Sequence, residues 1–166
     1  VQQTACAKGT YTDAAMADKG GCTPCAGGAY QDAEEQTVCQ ACDAGAYCPV
    51  GSAAALPCAG GSYSSATDND EATDCTLAEP GYFAATGSVQ QTACAAGRIA
   101  PTGGLGECTP CSSGTYQNET GATDCKPCDT GSFCPYGASA PLPCREGSYS
   151  SATNLASVTQ CAPCPP

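Results

Sequence analysis

The spacing of the cysteines constrains this chain more than any other feature of its sequence. Seventeen of its 166 residues are Cys, a density typical of disulfide scaffolds. Leu, Ile, Val and Phe together number only thirteen, and Trp is absent. So few large apolar side chains cannot offset an ordering cost of roughly 1 to 2 kcal/mol per residue. The sequence therefore predicts a small disulfide-rich fold without a large hydrophobic core, in which cross-links supply the missing stability.

The cysteines recur in two long repeats. The hexapeptide VQQTAC occupies residues 1–6 and again residues 89–94. Corresponding cysteines are 88 residues apart at the first position and 86 residues apart afterwards. The first copy contains Cys6, Cys22, Cys25, Cys39, Cys42, Cys48, Cys58 and Cys75, and the second contains Cys94, Cys108, Cys111, Cys125, Cys128, Cys134, Cys144 and Cys161. We therefore predict two long repeats, 1–88 and 89–166.

A shorter unit with the pattern C-x-x-G-x-aromatic recurs within each long repeat. These units, here numbered module one to module nine, start at residues 6, 25, 42, 58, 78, 94, 111, 128 and 144. Two depart from the pattern, because Ala78 replaces the opening cysteine of module five and Ile99 replaces the aromatic of module six. The glycine favours a turn with positive φ, and a short β-prone segment follows it. Nine such modules predict an elongated rod of short β-hairpins with little helix, apart from one short turn at 12–19.

Pairs of cysteines separated by two residues allow three interpretations. Cys22, Cys25, Cys39 and Cys42 have nearly the spacing of a zinc ribbon, which the second copy repeats. The sequence CTPC at 22–25 and 108–111 resembles a redox motif. However, the chain has no His, and the remaining cysteines lie at spacings that no tetrahedral site explains. Disulfides explain the most positions, so we predict no metal site, no cofactor and no catalytic residue.

Each module that opens with a cysteine contains a second cysteine that can close it. This scheme pairs Cys6–Cys22, Cys25–Cys39, Cys58–Cys75, Cys94–Cys108, Cys111–Cys125 and Cys144–Cys161, and leaves Cys42–Cys48 and Cys128–Cys134. An interleaved scheme, Cys42–Cys58 and Cys48–Cys75 with the same choice in the second copy, is also compatible with the sequence. We expect the aromatic to pack on the bridge of its own module, as Tyr30 would on Cys25–Cys39.

Cys164 has no counterpart to pair with inside the chain. It stands where Ala78 stands in the first copy and would open a tenth module. We therefore predict that Cys164 is unpaired within the chain and that its partner lies beyond Pro166 or in another chain. The absence of an initiator Met and of a signal peptide agrees with a mature chain or a fragment of a longer array.

The charge of the chain excludes several partners. Sixteen acidic residues against five basic ones give a net charge of −11. The five basic residues stand far apart, whereas nucleic acids and anionic membranes bind clustered Lys and Arg. No apolar run approaches the roughly 18 residues of a membrane-spanning helix. We predict no nucleic-acid partner and no membrane insertion of this segment.

Two segments share an unusual order of cysteine, glycine, proline and aromatic residues. They are CDAGAYCPVGSAAALPCAGGSYSSAT at 42–67 and CDTGSFCPYGASAPLPCREGSYSSAT at 128–153. This order resembles the cysteine-rich modules related to those of ephrin receptors and tumour necrosis factor receptors. Such modules occur in long arrays in extracellular proteins of protists and algae, including surface antigens and mastigoneme-type filament proteins. The resemblance, which covers nearly the whole chain, implies an elongated disulfide ladder in an extracellular or cell-surface protein that is not an enzyme.

Two smaller features are candidate sites. NET at 118–120 is the only N-glycosylation sequon, and in a secreted chain we expect Asn118 to carry a glycan. The segment TDNDEATD at 67–74 has enough side-chain oxygen atoms for a calcium ion. Its counterpart in the second copy, TNLASVTQ, contains no acidic residue. We therefore interpret the segment as a solvated acidic loop.

Two functions fit these patterns. The first is an extracellular structural protein, a disulfide-stapled repeat rod that self-associates into a surface coat or the repeating unit of a filament. The alternative is a receptor ectodomain that binds other extracellular proteins through its module faces. Near-identical repeats such as GSYSSAT at 61–67 and 147–153 favour regular stacking over diversified contact loops. We therefore favour the structural role.

Overall fold

Each module folds as one two-stranded antiparallel hairpin. The computed structural model of the chain describes residues 5–13 and 21–165. Within these residues, eighteen strands of two residues each form nine separate sheets, one in each module. The first strand holds the residue after the module glycine and then the aromatic or its replacement. The second strand holds the two residues that precede the next module.

The strands follow one another in chain order, and each first strand pairs with the next strand. The first strands are β1 (Thr10–Tyr11), β3 (Ala29–Tyr30), β5 (Ala46–Tyr47), β7 (Ser62–Tyr63), β9 (Tyr82–Phe83), β11 (Arg98–Ile99), β13 (Thr115–Tyr116), β15 (Ser132–Phe133) and β17 (Ser148–Tyr149). The second strands are β2 (Thr23–Pro24), β4 (Gln40–Ala41), β6 (Leu56–Pro57), β8 (Thr76–Leu77), β10 (Thr92–Ala93), β12 (Thr109–Pro110), β14 (Lys126–Pro127), β16 (Leu142–Pro143) and β18 (Ala162–Pro163). In the described part of the chain, the helical elements are two 3₁₀ turns, Ala72–Asp74 and Val158–Gln160.

A tight turn precedes every first strand. The N–H of the residue after the module glycine donates to the carbonyl three residues earlier, as from Ala29 to Ala26 at 3.1 Å. The glycine between them, Gly28, has a φ of +81°. Glycine enters this left-handed region without steric cost, and the third position of a type II turn requires it. The C-x-x-G pattern is therefore the turn that starts each hairpin, and its glycine is called the turn glycine below.

Eight disulfides close eight of the nine modules. Six join the opening cysteine to the cysteine just before the second strand: Cys6–Cys22, Cys25–Cys39, Cys58–Cys75, Cys94–Cys108, Cys111–Cys125 and Cys144–Cys161. Modules three and eight use the cysteine directly after the first strand instead, in the bridges Cys42–Cys48 and Cys128–Cys134. The structure thus contains the module-by-module pairs and not the interleaved ones. Module five has no cysteine directly before its second strand or directly after its first strand, the two positions that close the other modules.

The bridges themselves form most of the buried interior. Among the described residues, the largest fully buried side chains are all cysteines. Each buried cluster contains a bridged cysteine pair with one alanine, and partly buried neighbours pack against it. The predicted fold class, small and disulfide-rich with short hairpins, little helix and no large hydrophobic core, is confirmed.

Three aromatic side chains pack against the module that follows their own. Tyr30 packs against the cluster of Cys42, Ala46 and Cys48 in module three. Phe83 and Tyr116 pack in the same way against the clusters of modules six and eight. That an aromatic also covers the bridge of its own module stays a prediction. Stacking of the next module buries ring and sulfur together, so the apolar contact stabilises the junction between modules.

The chain divides into two compact units. One comprises Val1–Leu77 with Ala84–Gln90, and the other comprises Ala78–Phe83 with Gln91–Pro166. The division falls within module five, while the boundary at 88/89 and the rod shape stay predictions from the sequence. The first four residues of the initial VQQTAC and most of the turn expected at 12–19 lie outside the described residues. No helix of the described part is long and apolar enough to cross a membrane.

Alkylation of the unreduced protein should label a single cysteine. The eight bridges occupy sixteen cysteines, and the remaining one, Cys164, is exposed and unpaired in the described part of the chain. Intact mass before and after alkylation, with and without a chelator, tests this expectation. Labelling at any other cysteine, mapped by peptide analysis, would contradict the pairing.

Candidate docking site between modules

Consecutive modules are joined by backbone hydrogen bonds, which the junction of modules seven and eight illustrates. The turn glycine Gly114 donates its N–H to the carbonyl of Cys134 at 2.7 Å. Gln117, directly after the aromatic, donates its N–H to the carbonyl of Ala138 at 3.1 Å. Both bonds run from one module to the next and use main-chain groups that every module carries. The junction therefore does not depend on particular side chains.

A third bond runs in the opposite direction from a loop residue with positive φ. Gly137 of module eight, at φ +70°, donates its N–H to the carbonyl of Cys111 in module seven at 2.8 Å. Seven loop residues make this bond, all with φ between 60° and 75°: Glu35, Gly51, Gly87, Gly104, Gly121, Gly137 and Asn154. The sequence reasoning missed this position. A signal was present, because these residues follow the turn glycine by six or seven positions and most of them are glycine.

The bond donated by the turn glycine occurs at all eight junctions, with lengths of 2.7 to 3.0 Å. Its donors are Gly9, Gly28, Gly45, Gly61, Gly81, Gly97, Gly114 and Gly131, and its acceptors are the carbonyls of Gln31, Cys48, Ser64, Ala84, Ala100, Gln117, Cys134 and Ser150. A buried N–H without a partner is costly. Since the first seven of these glycines are buried, each such module needs its successor to satisfy its own turn.

The turn glycine is also covered by the module two places further along. A Cβ atom added to Gly28 would lie 2.8 Å from the carbonyl oxygen of Asp68 in module four. Gly114 faces the backbone of Asn154 in module nine in the same way. A side chain does not fit at these positions. Positive φ and close backbone approach together explain the glycine of the pattern.

The last two modules lack these coverings. Gly131 is partly exposed and Gly147 is exposed, and a Cβ on either would meet nothing within 4 Å. In the described part of the chain, the N–H groups of Gly147 and Ser150 have no acceptor. Tyr149 is 51% exposed, although earlier aromatics of the pattern are partly buried. We call Gly147, Tyr149 and Ser150 the docking face of module nine, because the same groups dock a module elsewhere.

Gly28→Ala should destabilise the protein more than Gly131→Ala. Both positions have positive φ, +81° and +74°, so both variants carry backbone strain of about 1 to 3 kcal/mol. At Gly28 the methyl group also meets the carbonyl of Asp68, and overpacking adds about 1 to 3 kcal/mol. Urea unfolding of the unreduced variants measures the difference. Equal losses of unfolding free energy would show that module four does not cover Gly28.

Two of the accepting carbonyls belong to buried glutamines, whose side chains bond to the loop of their own module and which sequence reasoning did not identify. Gln31 and Gln117 are 2% and 3% exposed. The Nε2 of Gln117 donates to the carbonyl of Asp124 at 2.7 Å, and its Oε1 accepts from the N–H of Glu119 at 3.0 Å. Gln31 makes the equivalent pair of bonds in the first copy. The available signal was Gln directly after Tyr at the same position in both copies.

The acidic segment 67–74 forms a capped turn. Asn69 is buried, and its Nδ2 donates to the carbonyl of Ala46 at 2.9 Å. The Oδ2 of Asp74 accepts from the N–H groups of Asp70 and Glu71 at 2.9 and 3.0 Å. These bonds, chiefly the one from Glu71, hold the pKa of Asp74 below its ordinary value. Asn69 thus joins module four to module three, and Asp74 caps a local turn.

The cysteines with zinc-like spacing belong to separate bridges. Cys22, Cys25, Cys39 and Cys42 are divided among three disulfides. CTPC at 22–25 is therefore the end of one module followed by the start of the next. In residues 5–13 and 21–165, no group of three or more His, Cys, Asp or Glu residues is placed to hold a metal ion.

The carboxyl of Asp74 should titrate below its ordinary pKa of 3.8. Because the folded pKa is lowered, its contribution to stability is present above the unfolded value and is lost as pH falls through the folded value. NMR titration of the Asp74 carboxyl carbon measures this directly. Asp74→Gln is the matched variant, since Gln160 accepts the equivalent two N–H bonds in the second copy, and it should remove this pH dependence. A midpoint at or above 3.8 would contradict the capping role.

Asn118 lies exposed after β13. Its Oδ1 accepts from the Nζ of Lys126 at 2.8 Å, and the same Nζ lies 2.9 Å from Glu119. Asp32 and Gln40 make the corresponding side-chain contact in the first copy. The contact of Asn118 uses its oxygen and not Nδ2, the atom to which an N-linked glycan attaches. Glycosylation of Asn118 stays a prediction.

Cys164 occupies the position of an opening cysteine. Its N–H donates to the carbonyl of Gly147 at 2.8 Å, as the N–H of Cys144 does to Gly131 at 2.9 Å. Cys144 is partly exposed and Cys164 exposed, whereas the earlier opening cysteines are buried. Exposure therefore increases where the covering modules are absent.

Part of the second copy is similar to a known family of cysteine-rich modules. Residues 97–141 match the family model described as tyrosine-protein kinase ephrin type A/B receptor-like. The match begins at the turn glycine of module six and ends in module eight, so it includes two complete bridges. The predicted resemblance to ephrin-receptor-like modules is confirmed for this part of the chain. No curated protein matches the chain.

This family is a receptor-like cysteine-rich domain. Disulfides form and persist in oxidising compartments. The eight bridges and the match together indicate a disulfide-rich module of extracellular type.

Proposed function

We propose that this chain is an extracellular structural protein, which self-associates into a cell-surface coat or the repeating unit of an extracellular filament. The observation that carries this proposal is the docking contact, in which the same backbone bond recurs at eight consecutive junctions. Backbone groups are common to all modules, so a contact built from them can be repeated without new side chains. Regular repetition of one contact is what a filament or coat requires.

The docking face of module nine carries the groups that self-association would use. Gly147 and Ser150 offer the N–H groups that bind a following module elsewhere, and Tyr149 offers the aromatic surface that packs on its bridge. A further module of the same kind is the occupant that satisfies all three groups. The net charge of −11 makes assembly dependent on salt, since exposed charges of one sign repel.

A receptor ectodomain is the second candidate, and the family match over residues 97–141 favours it. In that role, exposed side chains beside the modules would contact another extracellular protein. Val50 and Tyr136 occupy the same position in the two copies and are 71% and 69% exposed. In either role we expect no nucleic-acid partner, no membrane insertion of this segment, and a glycan on Asn118.

Self-association should be visible by negative-stain imaging and sedimentation velocity. We expect the unreduced protein to form end-to-end assemblies whose sedimentation coefficient rises with protein concentration and with added salt. Tyr149→Glu should reduce assembly, because it places a charge where the aromatic would pack on a bridge.

Tyr136→Glu is the matched control, since Tyr136 is exposed but lies outside the docking face. It should assemble as the unmodified protein does. Discrete monomers at every concentration would overturn the structural role. Assembly that responds equally to both substitutions would overturn the docking face as its site.

A further inference from the structure

The disulfides divide the chain into two kinds of segment. Residues inside a disulfide ring cannot be extended by tension, whereas residues between two rings can. Most closing cysteines are separated from the next opening cysteine by two residues. Longer stretches outside any ring occur at 49–57 and 135–143, each of nine residues. The longest stretch between two bridges is 76–93, with eighteen residues. It contains all of module five.

Module five nevertheless has the fold of the other modules. Its strands β9 and β10 pair in the usual register, and Gly81 has a φ of +86°. The N–H of Cys94 donates to the carbonyl of Gly81 at 2.9 Å, the bond that follows the other turn glycines. Ala78 is buried at 2% exposure in the place of an opening cysteine. Loss of the bridge has therefore not changed the hairpin.

Two hydrogen bonds between Gln91 and Glu79 take the place of the missing disulfide. Gln91 directly precedes β10, where six other modules have their closing cysteine. Its Oε1 accepts from the N–H of Glu79 at 2.8 Å, and its Nε2 donates to the Glu79 carboxylate at 3.2 Å. Both bonds are exposed, so water can replace them at little cost. Module five is thus held closed by contacts that break and re-form, where its neighbours are held by covalent bonds.

We propose that module five is an extension element, which unfolds reversibly under tension while the disulfide-closed modules on both sides stay folded. Force applied along the chain passes through the S–S bonds of each ring and bypasses the residues inside it. The stretch 76–93 has no such bypass, so its eighteen residues can extend to a contour of about 60 Å. The nine-residue stretches release about half of that. On relaxation the hairpin re-forms, because its strands are close in sequence and its neighbours retain their folds.

This activity adds elasticity to the structural role and does not require assembly, because it is a property of one chain. A single chain can therefore be extensible even if the protein never forms filaments, and the two proposals fail independently.

Single-molecule stretching of the unreduced chain tests the proposal. Handles are attached at the two ends of a Cys164→Ser chain, so that no free thiol competes. We expect one largest unfolding event with a contour gain of about 60 Å, less the folded end-to-end distance of the segment. The event should recur in repeated cycles of stretching and relaxation.

Two variants assign the event to module five. Ala78→Cys with Gln91→Cys creates a ninth bridge at the positions used in other modules and should abolish the event. Ala78→Ser with Gln91→Ser changes the same positions without a cross-link and should keep it. Four residues inserted after Ala85 should lengthen the event by about 14 Å, which locates it even where the ninth bridge fails to form.

The absence of an event of this length in the unmodified chain would overturn the proposal. So would an event that persists when intact mass shows that the ninth bridge is present. An event whose length ignores the insertion would place the extension elsewhere and would equally overturn it.

Discussion

The hydrogen bond from each turn glycine to the following module is the interaction on which the rest of this structure depends. Its donor is an N–H that the tight turn directs away from its own hairpin, and most of the turn glycines are buried. A buried donor must be satisfied, and the carbonyl that satisfies it belongs to the next module. This requirement therefore links each module to its successor along the chain.

Stability is divided between two kinds of interaction. A disulfide that closes a ring of about 15 residues stabilises a single module by roughly 3 kcal/mol, largely by restricting the unfolded chain. Such a bridge orders one module but does not orient it relative to its neighbour. The backbone docking bonds do that, together with aromatic side chains such as Tyr30 that reach the bridge of the following module. Some of the few large apolar side chains of this chain, including Tyr30, Phe83 and Tyr116, thus pack at the junctions between modules.

Module five shows which of these interactions the hairpin needs. Both cysteine positions of its bridge are replaced, by Ala78 and Gln91, so neither partner is left as an unpaired thiol. The hairpin and its docking bonds remain. The fold of a module is therefore specified by the turn and its neighbours, and the bridge adds resistance to unfolding. Variation in the bridge changes how a module responds to force without changing its shape.

The sequence by itself determined the modules, their boundaries, the turn glycine and a pairing scheme in which each bridge stays within one module. These features are local, because a C-x-x-G turn and a disulfide that closes a ring of 6 to 17 residues depend on residues close together in the chain. The sequence left two pairings of Cys42 and Cys48 open, and it did not indicate that Tyr30 packs against the next module. It predicted a solvated acidic loop at 67–74, but did not indicate that Asn69 is buried and bonded to module three or that Asp74 caps a turn.

Only the tertiary structure decided how modules meet. The carbonyl that accepts the Gly114 N–H lies in the next module. The backbone that covers Gly28 lies two modules further along the chain. These contacts join backbone groups that nearly every residue type carries, so the glycine pattern marks where they occur but does not show which carbonyl meets which N–H. The docking contacts emerge only when separate hairpins are stacked, because stacking decides which carbonyl lies opposite which N–H.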